Sequence, residues 1–322
     1  MIAYHILCHG NFAQVARLIE ALYTPEDVFL IDIDDGKHCD ATEIDGFAGK
    51  FSRKKNVHLI RDANIGWGAS GTLRKTLRGA FELLRLDARW QYYIVLSGQD
   101  LPLKNVAAIK AELAIGAARG ANYLRYGATE VLDPNDLPLI SQSKRVALWG
   151  DRGHTKVYAK PGAINPQTNH GARWLVDVTE VGEQGEVYIG RCDELLLKRR
   201  RTFFERYPFF EGPNWFNLHR SLLEFMIDDP FTYELYDVLR GTFIPDESFF
   251  QTYIMNTRFR DTVDWNYGRL ILRPGPKPRV KVFTEEDWPQ ICESPELFGR
   301  KFDTRESPEI VDRVLEHIRA AA

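Results

Sequence analysis

The run Tyr92-Tyr93-Ile94-Val95-Leu96 has no charged or amide side chain over five residues. It is too short for an ordinary helix and too apolar to turn a face to water, so it reads as a strand buried on both sides. Such a strand is stable only at the centre of a sheet covered by other layers, and the preceding residues supply them. Ile2 to Leu7 reads as a first strand, after which Val15, Leu18, Ile19 and Leu22 recur at helical spacing ahead of Pro25. Val28 to Ile33 reads as a second strand and Val57 to Ile60 as a third. Leu73, Leu77, Phe81 and Leu84 mark a long helix after the turn Gly66-Trp67-Gly68-Ala69-Ser70-Gly71. This alternation is the mark of βαβ units, and the fold class it predicts is α/β, with a mostly parallel sheet flanked by helices.

The pattern changes further on. From about Tyr126 to Tyr207 the periodicity weakens and polar stretches lengthen, so this part reads as an elaboration. Order returns at Trp215 to Asp228, where Phe216, Leu222, Phe225 and Met226 suggest a helix. Another begins near Asp246, and Ile310, Val311, Val314 and Ile318 mark a last one from about Pro308. The reading is one catalytic domain over residues 1–322. Its parts are residues 1–125, an elaboration over 126–210, and residues 211–322.

With 322 residues and 44% hydrophobic content the chain can bury a full core. A net charge of −3 gives no general reason for affinity to nucleic acid or anionic membrane. Cys8, Cys39, Cys192 and Cys292 have neither zinc-site nor disulfide-framework spacing. The start Met1-Ile2-Ala3-Tyr4-His5 lacks the flank of a signal peptide and no apolar run spans a membrane, so a soluble, cytoplasmic protein is expected.

In open α/β sheets ligands collect beyond the carboxyl ends of the strands, which directs attention to His9, Asp32 to Asp35, and Ser97-Gly98-Gln99-Asp100. Asp32-Ile33-Asp34 matches the D-x-D pattern of metal-binding transferases, and strand alternation points both carboxylates to one side. The alternative is ordinary turn chemistry before Gly36. Pro245-Asp246-Glu247-Ser248 reads as a helix start with two carboxylates in its first turn, either as caps or as a base partly desolvated by Phe249 and Phe250. Lys277, Arg279 and Lys281, with Arg300-Lys301, could together neutralise a diphosphate without a metal. Lys198-Arg199-Arg200-Arg201 reads as a solvated face, or as a contact to an anionic acceptor or peripherally to a membrane. Trp149, Trp174 and Trp215 are candidates for stacking on sugar faces.

Four stretches in order resemble the family 14 glycosyltransferases, which include the core-2/I-branching β-1,6-N-acetylglucosaminyltransferases and the protein xylosyltransferases. They are Tyr4 to His9 with Leu22-Tyr23-Thr24-Pro25 and Phe29 to Asp34; Trp90 to Lys104; Pro245-Asp246-Glu247 with Phe249 to Thr252; and Leu297 to Asp303. The resemblance covers about residues 1–104, 210–256 and 270–303. It implies a GT-A-like, Rossmann-related fold and an inverting transfer from a UDP-sugar that needs no metal or other cofactor. In that scheme Glu247 is the base. Lys301 and Arg279 bind the diphosphate, with Lys281 a rival to the arginine, because the arginine match needs a one-residue gap. Leu7, His9 and Asp34 lie in the uridine pocket, and Trp67 and Asp100 border the donor sugar.

Residues 127–207 depart from the branching enzymes, and the cysteines and membrane anchor of Golgi relatives are missing, which points to a bacterial-type cytoplasmic member. Asn214 stands in a region from which some relatives draw their base, and an amide cannot serve. The donor sugar is open among N-acetylglucosamine, xylose and glucuronic acid, and the acceptor is a hydroxyl of a glycan, lipid-linked glycan or protein. The rivals are a metal-dependent transferase using Asp32 and Asp34, and a non-catalytic nucleotide- or glycan-binding protein.

Overall fold

A computed structural model describes residues 1–36, 39–62, 66–86, 89–129, 146–152, 155–160, 163, 170–182, 186–274 and 280–321, with the backbone alone at 146–152, 155–156 and 170–172. The apolar runs form strands β1 (Ile2–Cys8), β2 (Val28–Asp34), β3 (Val57–Asp62) and β4 (Tyr92–Ser97). Between them lie helices α1 (Phe12–Leu22), α2 (Ala41–Phe51) and α3 (Gly71–Leu86). The short strand β5 (Asp100–Pro102) leads to α4 (Val106–Ala117), where the Asn105 side chain accepts from the Ala108 amide at 2.8 Å.

Strands β6 (Asn122–Tyr123) and β7 (Gly127–Ala128) follow, then β8 (Val146–Arg152), β9 (Thr155–Ala159), β10 (Val176–Val181) and β11 (Val187–Arg191). Helix α5 (Glu194–Arg206) starts on Asp193, whose carboxylate caps the Leu195 amide at 2.9 Å. Next come β12 (Phe210–Glu211), β13 (Asn217–His219), α6 (Arg220–Asp228), α7 (Pro230–Leu239), α8 (Phe249–Met255) and β14 (Val263–Asp264). The last described elements are β15 (Arg269–Ile271), α9 (Trp288–Glu293), β16 (Phe298–Arg300) and α10 (Pro308–Ala320).

The central sheet has the order β14-β6-β13-β4-β1-β2-β3. β1 pairs in parallel with both β2 and β4, and β2 with β3, while β13 is antiparallel to its neighbours β4 and β6. Alternation along the strands sorts side chains into two cores. Val28, Leu30, Tyr93 and Val95 face α3, α6 and α8, whereas Tyr4, Ile6, Phe29, Ile31, Ile94 and Leu96 face α1, α2, α4 and α10. The α/β reading, with a mostly parallel sheet between helices, is therefore what the chain adopts.

Two segments differ from the sequence reading. Residues 217–219 form β13, so the helix expected from Trp215 begins only at Arg220. Within the expected elaboration stand a four-stranded sheet of order β10-β11-β9-β8 and the helix α5. Among the described residues no helix is long and apolar enough to cross a membrane. All four cysteines are free thiols.

Candidate active site

Alternation on β2 places Asp32 and Asp34 on the side of Val28 and Leu30, towards α3. Asp32 is fully buried, with Lys75 Nζ 3.1 Å from Oδ1 and Arg78 Nη2 2.7 Å from Oδ2, and with His5 Nε2 at 3.7 Å. Burial opposes ionisation, yet the nearby His5 ring, the Lys75 charge and the Arg78 hydrogen bond hold this carboxyl down at about 2. Both of its oxygens are engaged by cations of α3, so the pair does not fit a D-x-D metal site.

Asp34 stands at the strand's carboxyl end, where its buried Oδ1 has no hydrogen-bond partner among the described residues. Burial raises this carboxyl above the usual range, and Lys75 only partly offsets it. The Cys39 thiol lies 3.2 Å from the carbonyls of both His9 and Asp34, tying the ends of β1 and β2 together. Leu7 is half-buried, and its carbonyl accepts from the Gly98 amide at 2.9 Å. Leu7, His9, Asp34 and the turn into Asp100 thus lie together at the carboxyl ends of β1, β2 and β4.

Asp100 is buried, accepts from the Ser97 amide at 2.7 Å and pairs with Arg300 Nη1 at 2.9 Å. The Arg300 guanidinium lies 4.3 Å from the centre of the Trp215 ring. Lys301 follows it, with its carbonyl accepting from Phe283 at 2.8 Å. The rival Lys281 has its ammonium 2.6 Å from Asp287 Oδ1. Arg279 lies outside the described residues, as does the side chain of Trp149. Trp174 is buried in the core, which excludes it as a sugar platform, and Trp215 serves Arg300.

The segment from Phe243 to Glu247 is built against the glycine-rich turn. Gly68 has φ +85°, and a Cβ there would lie 2.6 Å from the Phe243 ring, so the close approach needs glycine. Trp67 packs edge-on to Phe243, with ring centres 5.9 Å apart. The Ile244 amide donates to the Gly68 carbonyl at 2.7 Å, holding this β-branched residue at φ +56°, a conformation that costs on the order of 1–3 kcal/mol and is found mostly at functional sites. A single 3-10 turn, Pro245–Glu247, then precedes α8.

Neither carboxylate of this turn caps α8. Asp246 is buried and accepts from Asn214 Nδ2 at 3.2 Å. Its burial, with the charge of Glu247 beside it, pushes the carboxyl up to about 7. The Glu247 side chain is 36% exposed, and its Oε2 accepts from Arg173 Nη1 at 2.5 Å. The Glu247 carbonyl accepts from Gly212 at 2.7 Å, and a side chain on Gly212 would collide with the Arg125 carbonyl. Glu211 lies 3.8 Å from Arg173 Nε, and burial pushes it to about 7 in spite of that cation.

Asn214 and Trp215, adjacent in sequence, touch Asp246 and Arg300 respectively, so one short segment contacts both the turn that carries Glu247 and the residue before Lys301. Sequence reasoning named Glu247, Asp100 and Lys301 as candidates and did not name Arg173 or Glu211, which the structure places beside Glu247. The first stands where periodicity is weak, and the second in a two-residue strand.

The profile of the Core-2/I-Branching enzyme family matches residues 2–116 and 171–279, more than half the chain and including Arg173, Glu211 and Glu247. The chain belongs to the core-2/I-branching enzyme family, the family 14 glycosyltransferases. It is 25% identical over 95% of its length to beta-glucuronosyltransferase GlcAT14A of Arabidopsis thaliana, covering 61% of that protein. It is 24% identical over 94% of its length to xylosyltransferase oxt of Drosophila pseudoobscura pseudoobscura, covering 31% of it. A third relative, a beta-1,3-galactosyl-O-glycosyl-glycoprotein beta-1,6-N-acetylglucosaminyltransferase 4 of Danio rerio, is 31% identical over 38% of this chain and 28% of its own. The chain therefore spans between about a quarter and two thirds of the length of these relatives.

Proposed function

We propose that this family member is an inverting, metal-independent glycosyltransferase that moves a sugar from a UDP-sugar to a hydroxyl of a glycan or similar acceptor. The observation that supports the reading is a partly exposed carboxylate, Glu247, held by Arg173 in a turn whose buried Asp246 is contacted by Asn214, next in sequence to the Trp215 that stacks on Arg300 beside buried Asp100. The names of the relatives support N-acetylglucosamine, xylose and glucuronic acid as the donor sugars to try.

In this mechanism Glu247 takes the proton of the acceptor hydroxyl as its oxygen bonds to the anomeric carbon. The bond from that carbon to the diphosphate oxygen breaks on the opposite face, and UDP departs with the electron pair. Lys301 and Arg279 neutralise the charge gathering on the leaving group, the task a divalent ion would otherwise perform. Alignment of the two substrates supplies much of the acceleration. The uridine is received at Leu7, His9 and Asp34, where the unpartnered Asp34 oxygen offers an acceptor. Trp67 and Asp100 border the sugar. The engagement of Asp32 by Lys75 and Arg78 supports the metal-free form.

The test is transfer by wild type and by Glu247→Gln, each in excess EDTA. Glu247→Gln is expected to lose about 10²- to 10⁴-fold in rate while UDP still raises its melting temperature as in wild type. Unchanged transfer by the variant would remove Glu247 from its role. Loss of wild-type transfer in EDTA, restored by manganese, would return Asp32 and Asp34 as ligands.

A further inference from the structure

We propose that Arg173, supplied by the expected elaboration, is a positioning residue that fixes the orientation of the Glu247 carboxylate, and that Glu211 competes for the same guanidinium. The inference deepens the proposed function and rests on Glu247 acting there as base.

Arg173 lies in the 3-10 turn His170–Leu175 that feeds β10, and its side chain is buried. Its backbone is fixed to the same loop as its side chain, because its carbonyl accepts from the Phe243 amide at 3.4 Å. Nη1 holds Glu247 Oε2 at 2.5 Å. Among the described residues nothing donates to Glu247 Oε1, so the pair pins one oxygen and leaves the other for a hydroxyl. A planar guanidinium sets direction as well as charge, which an ammonium does less well.

The charge balance gives Glu211 its part. Among the described residues, the carboxylates that act on Arg173 are Glu247, Glu211 and Asp246, and the charged groups that act on Glu211 are Arg173 and Glu247. Burial opposes the cation, but the surrounding carboxylates hold it charged. Three ionised carboxylates around one buried guanidinium would leave two charges uncompensated in a desolvated place. Burial pushes Glu211 and Asp246 up to about 7, so below that range Arg173 holds Glu247 without their competition. Above that range Glu211 ionises 3.8 Å from Arg173 Nε and draws on the same cation.

The experiment follows UDP release from UDP-N-acetylglucosamine, UDP-xylose and UDP-glucuronic acid, with water taking the place of the acceptor hydroxyl, by wild type, Arg173→Lys, Arg173→Met and Glu211→Gln, from mildly acidic to mildly basic pH. Arg173→Met is expected to lose roughly 10- to 100-fold in kcat with donor KM little changed, the scale of a misplaced reacting group. Arg173→Lys should recover part of the loss. Glu211→Gln should retain wild-type turnover below neutrality and lose the pH-dependent change that wild type shows around pH 7.

A UDP-induced rise in melting temperature establishes that each variant is folded. Should Arg173→Met fail to fold, Arg173→Lys and Glu211→Gln decide the matter. Turnover by wild type with full kcat in folded Arg173 variants, or an unaltered pH profile in Glu211→Gln, overturns this inference and leaves the proposed function standing. No UDP release by wild type from any of the three donors overturns both.

Discussion

Asp32 shows how one side chain's partners decide its role. Its carboxylate is enclosed by Lys75, Arg78 and His5, and Lys75 is itself buried. Its folded pKa of about 2 lies below the ordinary 3.8, so it contributes stability that is present above the ordinary value and lost as pH falls through about 2. Asp32→Asn leaves Lys75 buried without its counter-charge and is expected to cost about 3–5 kcal/mol at neutral pH. The urea midpoint should show this, and the gap to wild type should close on acidification towards pH 2, where wild type is protonated too. Strand alternation correctly placed Asp32 and Asp34 on one side. It could not reveal that the neighbour on that side is α3, with Arg78 46 residues away in sequence.

At the scale of elements, α5 divides the basic run that sequence treated as a unit. Arg199 pairs with Asp237 at an exposed position, whereas Arg200 is buried, 2.7 Å from Asp177 and donating to the carbonyls of Trp174 and Val238. Arg200 thus occupies the same buried face as Phe203 and Phe204 and ties α5 to β10 and α7. Arg200→Ala is expected to destabilise by about 3–5 kcal/mol by stranding Asp177 and the freed carbonyls. Arg199→Ala should change stability by less than about 1 kcal/mol, and thermal unfolding of both variants checks the contrast.

A charged residue on a core face defeats a reading based on apolar periodicity, which is why α5 was not legible. The start of α6 failed for another reason. His219, rather than one of the usual capping residues, accepts from the Ser221 amide, and the apolar pattern runs across the boundary from Phe216 to Leu222. The first four strands, with α1 and α3, were legible because period and punctuation agree there, whereas α2 was not named.

At the scale of the whole molecule, the sheet is not closed by the N-terminal half. β13 pairs with the β4 edge and β14 with β6, while β16 joins β5 to β15. Residues 1–125 expressed alone would expose the apolar β4 edge and half of two cores. That fragment is expected to show no cooperative melting and no stabilisation by UDP, as circular dichroism with added ligand would report. The candidate site was legible only in part for a related reason. Short motifs gave Glu247, Asp100 and Lys301, but Arg173 and Glu211 gain their meaning from folding around Glu247.

The Asp100–Arg300 pair spans 200 residues, and that separation has a consequence for biosynthesis. At about 5–20 residues per second, a growing chain carries Asp100 for on the order of 10–40 s before its counter-charge exists. The end of the sheet where uridine, sugar and diphosphate would meet therefore cannot be completed until Arg300 has been made. A ribosome that stops short of Arg300 releases a chain with most of its sheet-forming sequence and an unneutralised carboxylate where the basic pair belongs.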